Sequence, residues 1–206
     1  SGRFTLSTSA EIVARLFEVE QGASLRASYN IAPTQEVADV RREDTRRRLV
    51  LLRWGLIPSW AKERTIGNRM INARAETVAE KPSFRTALRK RRCLLVANGF
   101  YEWKRAGAAK QPLLIRRTDL VPFATAGLWE RWSQGDAPAI ESCTIITTEA
   151  NAWMRPIHDR MPVILDKAAW TTWLDPAIEE PERLQSLLVP CPDDALRADP
   201  VSTYVN

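Results

Sequence analysis

The first residue of the chain offers the most direct chemistry. Ser1 carries an α-amine and is followed by Gly2 and Arg3. Such an amine has a pKa near 7.7–8.0, so about a tenth of it is neutral and nucleophilic at pH 7, a far larger fraction than for a lysine. We expect a terminus exposed by processing, with a frayed end or a tag remnant as the alternative. Ser1 is therefore a candidate nucleophile.

Two other side chains could transfer protons. His158 is the single histidine and lies in a polar segment bounded by prolines. It could shuttle a proton near neutral pH or form a structural hydrogen bond with Asp159. Glu102 lies in a segment that favours a strand, where it should face away from Tyr101 and Trp103. Burial among aromatic rings would raise the pKa of Glu102 and suit acid–base catalysis, although a partner arginine would also explain the residue.

Polar and aromatic residues in the same half of the chain could bind a ligand. Asn72 and Arg74 stand two positions apart, so an extended backbone would place both on one side. Asn72 could orient a reacting group, and Arg74 could hold a phosphate or pair with Glu76. Trp60 follows a turn that contains proline and lies close to Lys62. An exposed indole there could stack on bases, whereas most tryptophans pack in a core.

The composition is that of a globular chain with an excess of positive charge. Its 206 residues are 45% hydrophobic and 27% charged, with a formal net charge of +5. Basic residues cluster at 41–42, 46–48 and 85–92, where they could contact a polyanion or be solvated. No stretch approaches the roughly 20 apolar residues of a membrane-spanning helix, so we expect a cytoplasmic monomer that has no membrane partner.

The cysteines and the single histidine exclude several kinds of site. Cys93, Cys143 and Cys191 have long, irregular spacings that fit neither a disulfide framework nor a zinc motif, which predicts buried structural thiols. One histidine cannot build a multi-histidine metal site, and the sequence has no glycine-rich phosphate-binding motif. We therefore expect no metal and no cofactor.

The elements that must position these residues are mostly strands. Hydrophobic patterns predict helices over residues 10–18, 83–91, 149–154, 167–174 and 181–188. They predict strands over residues 48–56, 93–103, 112–117, 123–132, 143–148 and 161–165, and Pro33 predicts an extended loop over 29–34. Regular crossover helices do not separate these strands. The sequence therefore predicts a single α+β domain over 1–206, with a mainly antiparallel, barrel-like sheet and peripheral helices.

Six motifs, in this order and spacing, resemble the SOS response-associated peptidase (SRAP) family. They are G-R-F at 2–4, Y-N-I-A-P at 29–33, W-G-L-I-P-S-W-A at 54–61, I-N-A-R-A-E at 71–76, G-F-Y-E-W at 99–103 and I-H-D-R-M-P at 157–162. The resemblance implies a sensor of abasic sites in single-stranded DNA. In the family, an N-terminal cysteine condenses with the ring-opened sugar through its amine and closes a thiazolidine through its thiol, which shields the lesion.

The resemblance also implies roles for individual residues. Asn72 would orient the sugar or the terminal amine, Glu102 would transfer protons during ring opening and closure, and His158 would assist that opening or the reversal. Contacts along the DNA are implied for Gly2, Arg3, Asn30, Pro33, Arg74 and Thr147. Trp60 would stand where a duplex must stop, at a junction of single and double strands. Autoproteolytic exposure of the first residue, AP-lyase activity and association with the nucleoid are further expectations.

One departure from the family concerns the nucleophile, because Ser1 stands where the family has cysteine. A serine amine could still form an imine, but its hydroxyl is a far weaker nucleophile than a thiolate. We expect Ser1 to be an engineered substitution or a cloning remnant, with a natural serine variant as the alternative. Two other functions stay open: an N-terminal-nucleophile hydrolase that uses Ser1, and a noncatalytic module that binds single strands.

Overall fold

The computed structural model describes residues 2–20 and 28–202, with the backbone alone for residues 28–30 and 106. Ser1 lies outside the described residues. Helices in the described part are α1 (Ala10–Leu16), α2 (Arg85–Lys90), α3 (Lys167–Leu174) and α4 (Pro181–Gln185), with a 3₁₀ helix over Arg64–Arg69. Strands there are β1 (Phe4–Leu6), β2 (Ser28–Ile31), β3 (Glu36–Glu43), β4 (Arg46–Trp54), β5 (Asn72–Arg74), β6 (Arg92–Ala97), β7 (Gly99–Ala106), β8 (Ala109–Arg117), β9 (Phe123–Trp132), β10 (Ile140–Glu149), β11 (Arg160–Pro162), β12 (Ile164–Leu165) and β13 (Leu196–Pro200).

Five of the strands close into a barrel. Their order is β10, β4, β3, β6 and β9, and β9 pairs back onto β10. Neighbours in this ring are antiparallel except for β4 and β10. β5 and β11 pair with β10 closer to its C-terminal end, and β12 pairs with β9. The predicted α+β fold with a mainly antiparallel, barrel-like sheet is confirmed.

A second, five-stranded sheet holds the beginning of the chain. Its order is β13, β8, β7, β1, β2, so β1 lies between two partners. The sequence did not predict β1, because three residues are too few to show an alternating pattern. It did not predict β2 either, since Pro33 favoured a loop over 29–34, whereas residues 28–31 form a strand beside β1.

The predicted strand over 93–103 is two strands in two different sheets. Asn98 separates them, and its backbone N–H donates to Thr5 O at 2.8 Å. Its Oδ1 accepts from the backbone N–H groups of Ser7 and Thr8 at 2.7 and 3.3 Å. Asn98 therefore turns the chain from the barrel strand β6 into β7 by bonding to the segment that follows β1.

The predicted helix over 149–154 is wrong. Glu149 ends β10, and residues 152–157 form consecutive turns. Asn151 explains the difference, because its Oδ1 accepts from Met154 N at 2.8 Å and its amide donates to Cys191 O at 2.9 Å. A side chain that bonds to nearby backbone competes with a helix in this way. The predicted strand over 161–165 is likewise interrupted at Val163, whose backbone bonds to Ile146 and Ala126.

The buried interior contains three thiols and one acid. Cys93, Cys143 and Cys191 are free and buried, as predicted. The Cys93 thiol donates to Asp39 Oδ2 at 3.3 Å, and Cys143 also bonds to this carboxyl. Asp39 is fully buried, and desolvation raises its pKa well above the ordinary value, against the opposing effect of these hydrogen bonds and of Arg41.

Two of the three basic clusters are neutralised within the fold. Every arginine of 41–42 and 46–48 has a carboxylate neighbour. The pairs are Arg41–Glu141 (3.1 Å), Arg42–Asp175 (3.4 Å), Arg46–Glu20 (2.8 Å), Arg47–Glu18 (3.7 Å) and Arg48–Glu43 (3.6 Å). In the third cluster Arg92 is buried against backbone carbonyls, and burial lowers its pKa to about 10.

Candidate functional site

The start of β1 brings the first residues of the chain to Glu102. β1 pairs with β7 so that Phe4 faces Phe100 and Thr5 faces Gly99. Tyr101 N donates to Arg3 O at 3.0 Å, which continues the ladder by one residue. The same register puts Gly2 opposite Glu102, which is 5% exposed. Gly2, Arg3 and Glu102 therefore form one group of the predicted site residues, next to the position of Ser1 in the sequence.

Phe4 links this group to the strand that carries Asn72. Its ring meets Trp54 edge to face, with centroids 5.0 Å apart, and lies 6.3 Å from Phe100. The Trp54 indole N–H donates to Ile71 O at 3.0 Å, immediately before Asn72. Aromatic pairs of this kind stabilise by about 0.5–1.5 kcal/mol beyond the area they bury. The N-terminal strand is thus held against β5 through two buried rings and one hydrogen bond.

Asn72 and Arg74 lie on the same side of β5. The strand runs parallel to β10, with Asn72 opposite Ile145 and Arg74 opposite Thr147. Ala73 is buried between them, whereas Asn72 is half-buried and Arg74 is exposed. Among the described residues the Arg74 guanidinium forms no salt bridge. Arg74 therefore presents an exposed cation on the side of β5 that carries Asn72, and its charge also contributes to the low pKa of Glu76.

The carboxylate that could have paired with Arg74 is held by Arg160 instead. The two Arg160 amino groups donate to Glu76 Oε2 and Oε1 at 2.6 and 2.9 Å. The Arg160 hydrogen bonds are the main cause that lowers the pKa of Glu76 to about 2. Arg160 also donates to Thr147 O and Oγ1 at 3.0 and 3.2 Å. The bonding of Arg160 to Glu76 and Thr147 was not predicted from the sequence, although Arg160 belongs to the I-H-D-R-M-P motif.

The same arginine orients His158. His158 Nδ1 lies 3.1 Å from both the backbone nitrogen and the backbone oxygen of Arg160, so either neutral tautomer of the ring forms a hydrogen bond there. Asp159 Oδ1 is 3.5 Å from the same nitrogen, so the hydrogen bond to Asp159 that the sequence suggested is a longer contact. The imidazole is exposed. His158 thus lies two residues before β11, which pairs with the strand that carries Thr147.

Thr34, the residue after Pro33, and Trp60 line two clefts that share Thr65 and Asn68. The turn that contains Pro33 is fixed by Thr34 N, which donates to Trp54 O at 2.8 Å. A groove begins at Thr34, passes Thr65 and Asn68, and continues as a second cleft to Trp60. The indole is 57% exposed, so this tryptophan does not pack in the core. The side chain of Asn30 lies outside the described part of the chain, and its backbone is in β2, the neighbour of β1.

The loop that carries Trp60 depends on one glycine. Gly55 has φ +127°, and a Cβ there would lie 2.5 Å from Gly67 O. Only glycine tolerates both conditions. Two hydrogen bonds then fix the loop from the barrel, from Trp132 Nε1 to Ala61 O at 2.7 Å and from Gln134 Nε2 to Lys62 O at 3.1 Å.

Most predicted site residues of the described structure therefore fall into two groups with a shared support, and Pro33 and Trp60 lie outside both. Glu102 is in the second sheet with Gly2 and Arg3 directly before β1, and the other group follows the edge of the barrel formed by β5, β10 and β11. Phe4 and Trp54 connect the two. Within the described residues no cluster of three or more His, Cys, Asp or Glu could hold a metal, and no helix is long and apolar enough to cross a membrane.

Comparison with known proteins decides the family. The family model described as SOS response associated peptidase (SRAP) matches residues 1–206. The chain belongs to the SRAP family. Relatives of this SRAP chain include the abasic site processing protein YoaM of Bacillus subtilis (strain 168), which is 46% identical over 209 residues, covering 100% of this chain and 92% of YoaM. The abasic site processing protein HMCES of Xenopus tropicalis is 34% identical over 187 residues, covering 80% and 55%.

A solved structure shares the fold of the SRAP chain. The crystal structure of a protein from Bacteroides thetaiotaomicron superposes with a TM-score of 0.90 at 29% identity. The match covers 98% of this chain and 93% of that protein. The barrel and the second sheet described above are therefore shared with that protein.

Proposed function

We propose that the chain processes abasic sites in single-stranded DNA, with residue 1 as the covalent nucleophile. The observation that carries this proposal is the pairing of β1 with β7, which puts Gly2 opposite the buried Glu102. One peptide bond joins Ser1 to Gly2, so their α-carbons are about 3.8 Å apart. A nucleophile at residue 1 and an acid–base group at Glu102 would then share one site. The names of the relatives YoaM and HMCES support the same substrate.

The proposed chemistry begins with the open-chain aldehyde of the abasic sugar. The terminal amine adds to the aldehyde carbon, and the carbonyl oxygen takes up a proton to give a carbinolamine. Loss of water then leaves an imine, with Glu102 moving the proton from nitrogen to the departing oxygen. A terminal cysteine would next add its thiol to the imine carbon and close a thiazolidine. The Ser1 hydroxyl is a weaker nucleophile, so this chain would stop mainly at the reversible imine.

The remaining residues support this step. Asn72 would orient the sugar or the amine, and His158 would exchange a proton through its exposed ring during ring opening or reversal. Removal of the proton next to the imine carbon, with departure of the 3′ phosphate, would cleave the strand, which is the proposed AP-lyase activity. We include autoproteolytic exposure of residue 1 in the proposal, because the amine must be free before it can react.

The proposed DNA path uses the cations and the groove around this site. Arg74 would bind a phosphate, because it is exposed and forms no salt bridge among the described residues. Gly2, Arg3, Asn30 and Thr147 would contact the strand near the lesion. Pro33 would mark the entry to the groove, and the exposed Trp60 indole at its other end would stack on the last base pair of a duplex.

The test is the mass of the protein after exposure to a single strand with one abasic site. We expect the Ser1 protein to give an adduct only after borohydride reduction, mapped to residue 1. The Ser1→Cys variant should give an adduct that survives heating without reductant, and the Ser1→Ala variant should still be trapped because it keeps the amine. The same strand without the lesion is the control.

Three outcomes would replace the proposal. An adduct mapped to another residue would remove residue 1 as the nucleophile. No adduct with Ser1→Cys, together with equal affinity for intact and abasic strands, would select the noncatalytic binding module. Hydrolysis of an unrelated peptide by the original chain, with loss of this activity in the Ser1→Ala variant, would instead select the N-terminal-nucleophile hydrolase.

A further inference from the structure

The hairpin that joins β7 to β8 extends past the N-terminal end of β1. Gly2 is opposite Glu102 in the register of β1 and β7, and β7 continues to Ala106 before the chain turns back at Gly107. Four residues of extended strand span about 13 Å. The tip of the hairpin therefore projects beyond the N-terminal end of β1, on the side of β1 opposite to β2 and the Pro33 turn.

This tip is a concentrated positive charge, and the only carboxyl in its two strands is that of Glu102, two residues before Lys104. Lys104, Arg105 and Lys110 are all exposed. The sequence contains no aspartate or glutamate between Glu102 and Asp119. Among the salt bridges of the described residues none includes any of the three cations. The arginines at 41–42 and 46–48 differ in this respect, because each of them has a carboxylate neighbour.

Two of these cations face each other across the hairpin. Arg105 and Lys110 are direct cross-strand partners, and Lys104 is opposite Gln111. Like charges in directly opposite positions destabilise an antiparallel pair. A hairpin optimised for stability alone would carry an opposite charge at one of these positions. An anionic ligand that bridges Arg105 and Lys110 would turn the repulsion into favourable binding energy.

We infer that the tip of the β7–β8 hairpin is a phosphate-binding clamp for the single strand, on the side of the lesion opposite to the Trp60 groove. The inference rests on the proposed function, because the strand must pass residue 1. β1 lies between β2 and β7. The Pro33 turn follows β2 on one side of β1, and the hairpin tip extends β7 on the other side. A strand that follows the groove to residue 1 leaves over the hairpin tip, where Arg105 and Lys110 on one face and Lys104 on the other bind the phosphates next to the abasic nucleotide.

The salt dependence of binding tests the clamp. The ligand is a single strand with one tetrahydrofuran residue, an abasic analogue that has no aldehyde and so allows equilibrium binding to be measured. Each phosphate contact with a single strand changes log Kd by about 0.7 per tenfold change in salt. The variant Lys104→Gln/Arg105→Gln/Lys110→Gln should therefore lose about 2 from this slope and bind about tenfold or more weakly at low salt.

A matched control exists on α2. Arg85, Arg89 and Lys90 are also exposed and unpaired among the described residues, and α2 adjoins the end of β6 that is farther from β7. The six residues of β6 span about 20 Å. The variant Arg85→Gln/Arg89→Gln/Lys90→Gln removes the same charge and should keep the original slope. Equal losses in the two variants would mean that only the net charge matters and would overturn the clamp, as would an unchanged slope in the hairpin variant.

A single substitution separates binding from folding. Arg105→Glu creates an opposite-charge pair with Lys110, so we expect an equal or higher thermal midpoint together with weaker DNA binding. A lower midpoint with unchanged binding would show that the cations serve the hairpin itself. Failure of the proposed function has a different readout, namely no adduct of Ser1→Cys with an aldehyde-bearing strand, and it leaves the result with the tetrahydrofuran strand interpretable.

Discussion

Replacing Phe4 by leucine should have two effects that can be measured separately: a lower stability of the fold and a less precise position of the N-terminal strand. Phe4 is 3% exposed and forms two aromatic contacts, with Trp54 at 5.0 Å and Phe100 at 6.3 Å. Leucine keeps the burial and removes both ring pairs, each of which stabilises by about 0.5–1.5 kcal/mol. The expected loss in the free energy of unfolding is therefore about 1–3 kcal/mol, which leaves a typical domain folded at 25 °C.

The same substitution should slow covalent chemistry at residue 1. Phe4 connects β1 to the strand of Asn72 through Trp54, and misplacement of reacting groups by about 1 Å can cost a factor of 100 in rate. We expect Phe4→Leu to lower the rate of borohydride-trapped adduct formation by about tenfold. Urea unfolding and a time course of trapping on the same protein measure the two effects.

Phe17→Leu is the matched control for this prediction. Phe17 is fully buried and stacks on Trp170 at 4.5 Å, in contact with α3 and away from β1 and β7. It loses one ring pair instead of two, so its stability should fall by about 0.5–1.5 kcal/mol while the original rate is kept. Equal rates for the Phe4 and Phe17 variants, with Phe4→Leu measurably destabilised, would refute the idea that Phe4 sets the position of the terminus.

Two further predictions concern the dependence of stability on pH. Since Arg160 lowers the pKa of Glu76 to about 2, the ion pair stabilises above pH 4.5, and this contribution is lost as the pH falls from 4.5 to about 2. Glu76→Gln should cost about 1 kcal/mol at pH 7, because the side chain is 47% exposed and solvent screens the pair, and urea unfolding at pH 3 should show a smaller difference. Asp39 has the opposite sign, since burial raises its pKa and the stability of the neutral form is lost as the pH rises from 3.8 toward that pKa. Relative to Asp39→Asn, the original chain should lose about 1.4 kcal/mol per pH unit in that window, and parallel stability curves for the two proteins would contradict a neutral buried Asp39.

Several elements of the fold could be predicted from local patterns. The strand predicted over 123–132 matches β9, and the helix predicted over 167–174 matches α3, since both have hydrophobic periodicities long enough to be distinctive. Failures occurred where one polar side chain redirects the backbone. Asn98 divides a continuous apolar run between two sheets, and Asn151 replaces an expected helix with turns. Asn98 bonds to Ser7, 91 residues away, and Asn151 bonds to Cys191, 40 residues away, as well as to the nearby Met154, so a local pattern does not contain the distant partners.

Candidate site residues could be named from the sequence because their chemistry depends on residue type. The single histidine, the carboxyl among aromatic residues and the spacing of Asn72 and Arg74 are all visible in the printed chain, and so is the family. Which charges are available for a ligand was not visible. Arg41 and Arg74 look alike in sequence, yet one is buried beside Glu141 and the other is exposed without a salt bridge in the described structure.

Residue identity and patterns over a few neighbours were enough to predict the candidate site residues, the family and the α+β class. The position of β1 between β2 and β7 and the ion pair of Glu76 with Arg160 emerged only in the folded chain. Both depend on residues that are distant in sequence and meet only when the two sheets have formed.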